Sequence, residues 1–117
     1  GKNEGKLTSL AGKIVQDADR IDAIGAIGIA RTFQYAGHFK EPMHISTQQP
    51  RNLNDLQEDQ YHNEPNTAIN HFYEKLLLLK DLMNTKRGKQ IAEERHQFME
   101  NFLKQFYKEW DVTKKTN

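Results

Sequence analysis

Three aspartates stand close together near the start of the chain, in the strip DADRID that begins at Asp17. On a helical wheel of about 100° per residue, Asp19 and Asp22 share one sector, one turn apart, whereas Asp17 falls on the polar side. A carboxylate on a buried helix face costs several kcal/mol unless it is paired, hydrogen-bonded or bound to a metal ion. The spacing alone therefore leaves three interpretations open: a metal site, helix capping and pairing with arginine.

A second group of residues has the chemistry of a phosphate site. His71 and Lys75 stand one turn apart in a predicted helix, where they can bind or protonate a phosphate group. Arg20 and Arg31 can face phosphate as well, because guanidinium groups bind phosphate oxygens through paired hydrogen bonds. The alternatives are a surface histidine beside a solvated lysine, and arginines that pair with Asp17 or with glutamates.

The aspartates are expected in a long first helical region, which runs from about residue 8 to residue 37 with a break near Gly12. Ser9 is one of two residues that can cap its start. The middle of this region is apolar almost all round, which predicts a buried helix. Gly25 and Gly28 each cost about 1 kcal/mol in a helix interior, so they indicate that a neighbouring backbone comes very close.

The rest of the chain is predicted to form a loop and a helix hairpin. Residues 38–65 hold all three prolines and read as a loop or a lid. A second helix, capped by Asn66 or Thr67, is followed after a few residues by a third that reaches about Trp110, so the two should pack antiparallel. The core stripe of the third helix is predicted at Ile91, Phe98, Phe102, Phe106 and Trp110.

The fold class is therefore predicted to be all-α. The division along the chain is a helical metal-site region, a loop or lid, a helix hairpin and a tail, at residues 1–37, 38–65, 66–111 and 112–117.

Composition narrows the classes of partner. The net charge is only +1 and the acids and bases are interleaved, which predicts no binding to DNA or RNA. The chain has no cysteine, which excludes disulfides and thiolate metal sites and fits a cytoplasmic location. No apolar run approaches the roughly 18 residues of a membrane helix, so no membrane contact is expected.

The sequences of several segments resemble those of small bacterial hydrolases of the HD superfamily. In this superfamily a metal is held by a His, a His-Asp dyad and a distant final Asp. The main resemblance is at residues 14–31 (IVQDADRIDAIGAIGIAR), where an Ala-Asp-Arg unit stands late in the domain. The second half fits the same group, at residues 70–76 (NHFYEKL), 80–84 (KDLMN) and 91–96 (IAEERH).

The resemblance implies that Asp19 is the final metal ligand, with Asp22 as the next candidate. The other ligands have no match, because the chain contains no His-Asp dipeptide and all five histidines follow Asp19. The chain is therefore expected to be the C-terminal part of an HD domain and to lack hydrolase activity on its own. The implied cofactor is a divalent Mn, Mg, Fe, Co, Ni or Zn ion. The implied reaction is hydrolysis of a phosphate ester or anhydride, with a nucleotide as the expected substrate.

A non-catalytic reading is the alternative. The hairpin over residues 66–110 can serve as a helical interaction or dimerisation module, which leaves a homodimer open. A second chain that supplies the missing histidines is a third possibility.

Overall fold

The computed structural model describes residues 9–46 and 66–115, with side chains up to residue 111. Within these residues the chain is helical and has no β-strand, which confirms the predicted all-α class. No helix in these two ranges has both the length and the apolar character needed to cross a membrane. The α-helices and one 3-10 helix are α1 (Leu10–Asp22), α2 (Gly25–His38), α3 (Ala68–Glu74), the 3-10 helix (Leu76–Leu82) and α4 (Lys86–Lys115).

The first helical region is two helices, and the prediction of a break near Gly12 was wrong. Ser9 does cap α1, since its hydroxyl accepts a hydrogen bond from the Gly12 amide at 3.1 Å. The chain turns between α1 and α2 because Gly25 adopts a φ of 81°, which residues with a Cβ rarely adopt. Gly28 lies against the same turn, where an added Cβ would stand 2.3 Å from the Ala23 carbonyl oxygen. The expected close backbone approach is confirmed at Gly28.

The break between the helices also overturns the prediction of a buried first helix. Leu10, Ile14 and Val15 of α1 are 68%, 53% and 58% exposed. A single wheel drawn through both helices merged two faces that the turn points in different directions. Only α2 has an extensive buried face, formed by Gly25, Gly28, Ile29, Thr32 and Ala36.

The segment after α2 folds back onto the start of α3. The amides of Ala68 and Ile69 donate to the carbonyl oxygens of Pro42 and Met43, at 3.2 and 3.0 Å. Thr67 caps the helix as predicted, by accepting from the Asn70 amide at 3.0 Å. These bonds satisfy amides that the first turn of a helix leaves without a partner. Most of the predicted loop or lid, residues 47–65, lies outside the described residues.

The second half forms the predicted antiparallel hairpin. The Phe72 and Phe102 rings stack at 5.8 Å, and the Tyr73 and Tyr107 hydroxyls are 3.0 Å apart, so α3 packs against α4. The start of α3 bonds to Met43, whose neighbour His44 packs on Trp110 near the end of α4, whereas the 3-10 helix ends just before α4 begins. The two helices therefore run in opposite directions. The second helix tightens to 3-10 geometry from residue 76. The third runs to Lys115, past the expected start of the tail.

The core lies between α2 and the hairpin, and its stripe on α4 differs from the predicted one. Phe98 is half-exposed, whereas Ala92, Met99 and Leu103 are buried. Phe102, Phe106 and Trp110 are partly buried beside them. The predicted stripe followed the large aromatic residues, whereas smaller side chains of α4 face the core. The largest fully buried side chains are Phe72, Ile24, Ile69 and Met99.

Candidate functional site

A cleft of about 610 Å³ opens where the end of α1, one face of α2 and the side of α3 meet. Its walls include side chains from segments more than 40 residues apart in the sequence. Five of the residues that the sequence marked for chemistry lie in it: Asp19, Asp22, Arg31, His71 and Lys75. The cleft is therefore the place where the predicted metal and phosphate elements can act together.

The acidic side of the cleft comes from the last turn of α1. Asp19 and Asp22 are both exposed and both line the cleft, one helical turn apart. Carboxylate oxygens in an open cleft suit a divalent cation. Among the residues that the structure describes, however, no three His, Asp or Glu side chains converge closely enough to hold a metal ion. The two aspartates make part of a ligand set at most.

The opposite side of the cleft comes from α3. Partial burial of the imidazole against the cleft wall lowers the pKa of His71 below its usual 6.5, and the positive charge of Lys75 lowers it further. Glu74 and Glu41 act in the opposite sense but do not reverse the shift in pKa. The lowered pKa keeps His71 mainly in its neutral form at pH 7, in which it can donate or accept a hydrogen bond.

The remaining wall comes from α2 and the segment after it. Arg31 is exposed, whereas Thr32 is buried and donates its hydroxyl hydrogen bond to the Gly28 carbonyl oxygen at 2.8 Å. Tyr35 lies one turn beyond Arg31, and its ring packs at 4.6 Å from that of Phe39. The sequence reasoning did not select Tyr35 or Glu41. The helical spacing from Arg31 would have found the tyrosine, whereas Glu41 follows the helix and carries no such signal.

Two of the marked residues lie outside the cleft. The guanidinium group of Arg20 donates a hydrogen bond to the Leu82 carbonyl oxygen, and Arg20 is not part of the cleft wall. Asp17 is only 3% exposed and also points toward the connection before α4. The structure thus gives Arg20 no contact that favours phosphate binding. It also shows that Asp17, which the helical wheel placed on the polar side of the helix, is buried.

Both carboxylate oxygens of Asp17 accept hydrogen bonds from other groups of the protein. Oδ1 accepts from the Asn84 backbone and side-chain amides at 2.7 and 3.1 Å, and Oδ2 accepts from the Thr85 amide and hydroxyl at 2.9 and 2.7 Å. Burial alone would raise the pKa of Asp17, but these four hydrogen bonds outweigh it and hold the pKa below its ordinary value. A carboxylate so engaged has no lone pair directed at the cleft.

Comparison with known proteins was made at the level of sequence and of structure. No protein-family model matches the chain. The chain is 42% identical over 112 residues to the uncharacterized protein YpgQ of Bacillus subtilis, an alignment that covers 92% of this chain and 46% of YpgQ. The chain therefore spans about half the length of this relative.

Solved structures give the class of the fold. A crystal structure of an HD-superfamily hydrolase from Bacillus thuringiensis is 53% identical and superposes with a TM-score of 0.74, covering 88% of this chain and 47% of that one. The crystal structure of B. subtilis YpgQ in complex with ADP is 42% identical with a TM-score of 0.66, covering 86% and 44%. The described helices therefore have an HD-like fold.

Proposed function

We propose that this chain forms the Asp19-bearing part of an HD-type metal-dependent phosphohydrolase that acts on a nucleotide. The observation that carries the proposal is the cleft, which brings Asp19 and Asp22 from α1 to the same space as Arg31, His71 and Lys75. Similarity to the B. thuringiensis HD-superfamily hydrolase supports the reaction class. The ADP bound to YpgQ supports a nucleotide as the substrate.

Asp19 and Asp22 are suitable ligands for a divalent cation, but they are too few to hold one by themselves. A site that combines carboxylate and imidazole ligands suits Mn, Mg, Fe, Co, Ni or Zn, so the metal is left open. Asp19 would hold the ion, with Asp22 as the next candidate, and further ligands would have to come from groups other than the described residues. When bound, such a cation supplies Lewis acidity and lowers the pKa of the water that it coordinates.

The charges that line the cleft also favour a divalent cation at the aspartates. Four carboxylates line it, those of Asp19, Asp22, Glu41 and Glu74, against the two cations of Arg31 and Lys75. This formal surplus of two negative charges repels a phosphate group on its own. A divalent cation at the aspartates would offset the surplus and leave the arginine and lysine to bind phosphate oxygens.

The other side chains of the cleft would then have roles that follow from their positions. Arg31 and Lys75 would orient the phosphate chain from α2 and α3. His71, kept mainly neutral by its lowered pKa, would accept or donate one hydrogen bond beside them, and its unprotonated imidazole nitrogen could take up a proton during the reaction.

The test is turnover of nucleoside triphosphates by the natural protein, with Mn²⁺ or Mg²⁺ added and removed by a chelator. We expect hydrolysis that depends on the metal and is lost in Asp19→Asn while the circular dichroism of the helices is unchanged. Asp81→Asn is the matched control, because Asp81 is exposed and lies outside the cleft. Full turnover by Asp19→Asn would move the ligand role to Asp22. The isolated 117-residue segment is expected to be inactive, and its turnover would refute that part of the proposal.

One observation favours a second candidate, a helical interaction or dimerisation module. Leu10, Ile14 and Val15 place exposed apolar side chains on α1, a surface that commonly binds a partner. If the natural protein hydrolyses no phosphate ester with any of the metals, this reading is preferred. Analytical ultracentrifugation would then show whether the protein forms a homodimer.

A further inference from the structure

Polar contacts hold α1 in place, and its exposed apolar residues contribute little to this. Asp17 is the one residue of α1 that is buried, whereas Leu10, Ile14 and Val15 are exposed. Helices of small domains are usually fixed by an apolar face. Ile21, near the end of α1, is the one side chain of this helix that packs against the hydrophobic core, so the orientation of α1 depends largely on its hydrogen bonds to the rest of the chain.

One hydrogen bond reaches the end of α1 from α4, where the Arg95 guanidinium donates to the Ile21 carbonyl oxygen at 2.7 Å. The other hydrogen bonds come from one stripe of α1 and reach one short segment. Residues 13, 16, 17 and 20 share a face at helical spacing. The Asn84 side-chain amide donates to the Gln16 side chain at 2.6 Å and to Asp17, and Arg20 donates to the Leu82 carbonyl oxygen. We call this contact between α1 and residues 82–85 the polar clamp.

Asp17 is the centre of the polar clamp. Four hydrogen bonds from Asn84 and Thr85 converge on its carboxylate. The Thr85 hydroxyl also accepts from the Gly88 amide at 3.0 Å, so the same group starts α4 and fixes α1. At Gly88, an added Cβ would stand 2.4 Å from Asp17 Oδ2, which shows how closely α4 fits the carboxylate.

The clamp and the cleft lie on opposite sides of the same helix. At about 100° per residue, Asp19 and Asp22 are about 160° and 140° around the axis from Asp17. Carboxylates stand about 5 Å from the axis, so a 20° rotation of α1 would move them by about 2 Å. A displacement of that size matters, since about 1 Å of misplacement can reduce a rate about 100-fold.

We infer that Asp17 is a positioning residue, which fixes the rotation of α1 from behind and so sets where Asp19 and Asp22 stand in the cleft. The inference rests on the proposed function of that cleft. It assigns different roles to neighbouring aspartates of one strip: Asp17 orients the helix, and the aspartates on the far side face the ligand.

The experiment compares Asp17→Asn with the Asp81→Asn control in the natural protein, at a temperature where circular dichroism shows both to be folded. We expect kcat for a nucleoside triphosphate to fall about 10- to 100-fold in Asp17→Asn. The Mn²⁺ dissociation constant, measured by calorimetry without nucleotide, should rise at least about tenfold. KM should change little, because Arg31 and Lys75 lie on other helices. A folded Asp17→Asn variant with kcat and Mn²⁺ affinity equal to those of the control would overturn the inference.

The Thr85 pair covers the case in which Asp17→Asn does not fold. Thr85→Val removes the hydroxyl that binds Asp17, whereas Thr85→Ser keeps it. We expect reduced kcat and Mn²⁺ affinity in Thr85→Val and values near those of the natural protein in Thr85→Ser. Equal values in the two variants would count against the clamp.

Failure of the proposed function has a different signature. If the natural protein shows no metal-dependent hydrolysis, the proposed function fails, and nuclear magnetic resonance decides the inference. The amide signals of residues 18–22 should then shift and exchange faster with solvent in Asp17→Asn than in Asp81→Asn. Unchanged signals for that turn would show that Asp17 does not orient it.

Discussion

Replacing Gly88 by alanine should destabilise the protein, although the same change in a helix normally does the opposite. Glycine in a helix is less stable than alanine by about 0.5–1 kcal/mol, so the substitution starts with a small gain. Here the new Cβ would stand 2.4 Å from Asp17 Oδ2 and 2.9 Å from Thr85 Oγ1. Neither atom can move freely, because Asp17 is buried and hydrogen-bonded.

The size of the effect follows from these contacts. Overpacking of one methyl group costs about 1–3 kcal/mol. Weakening one hydrogen bond to the Asp17 carboxylate costs about 1.5–3 kcal/mol more. Against the helix-propensity gain, we expect a net loss of about 2–5 kcal/mol in the free energy of unfolding, from the same terms.

Gly37→Ala is the matched control, and urea denaturation followed by circular dichroism is the assay. Gly37 lies in α2 with no atom within 4 Å of an added Cβ, so the substitution should be neutral or stabilise the protein by up to about 1 kcal/mol. The two variants should shift the denaturation midpoint in opposite directions with unchanged m-values. A Gly88→Ala variant as stable as Gly37→Ala would refute the account of the Asp17 contact.

The other predictions concern two histidines. Lys75→Gln should raise the pKa of His71, because the positive charge of Lys75 lowers that pKa. A pH titration followed by nuclear magnetic resonance of the imidazole measures the change. An unchanged pKa would show that the charge of Lys75 does not act on His71. His44 packs against the rings of Phe106, Tyr107 and Trp110, and burial lowers its pKa despite the opposing charge of Asp111. The unfolded chain therefore takes up a proton at His44 before the folded one does, so its contribution to stability is present above pH 6.5 and declines as the pH falls below that value. His44→Gln should flatten this part of the stability profile in urea denaturation, and an equally steep profile would count against it.

Local signals in the sequence predicted the helices well where one residue decides the structure. Ser9 and Thr67 cap α1 and α3 because a hydroxyl before a helix can bind an amide of its first turn. The hairpin followed from the short connection between its helices. The turn at Gly25 was missed, because glycine permits a positive φ without requiring it, and only the packing of the neighbouring chain decides.

The sequence selected residues that line one cleft, but it could not predict their geometry, and their roles stay predictions. The spacing of Asp19 and Asp22 placed them together, and the cleft also holds Arg31, His71 and Lys75. A helical wheel could not show that the polar side of α1 is buried at Asp17, because the partners at Asn84 and Thr85 are 67 and 68 residues away. Long-range hydrogen bonds of this kind leave no periodic pattern in the sequence.

The most direct test of the central claim is an anomalous-scattering map from crystals of the natural protein soaked in Mn²⁺. We predict a peak within coordination distance of a carboxylate oxygen of Asp19, inside the cleft, and its loss in Asp19→Asn. A peak bound to Asp17, or a fully occupied Mn²⁺ site away from the cleft with none beside Asp19, would contradict it.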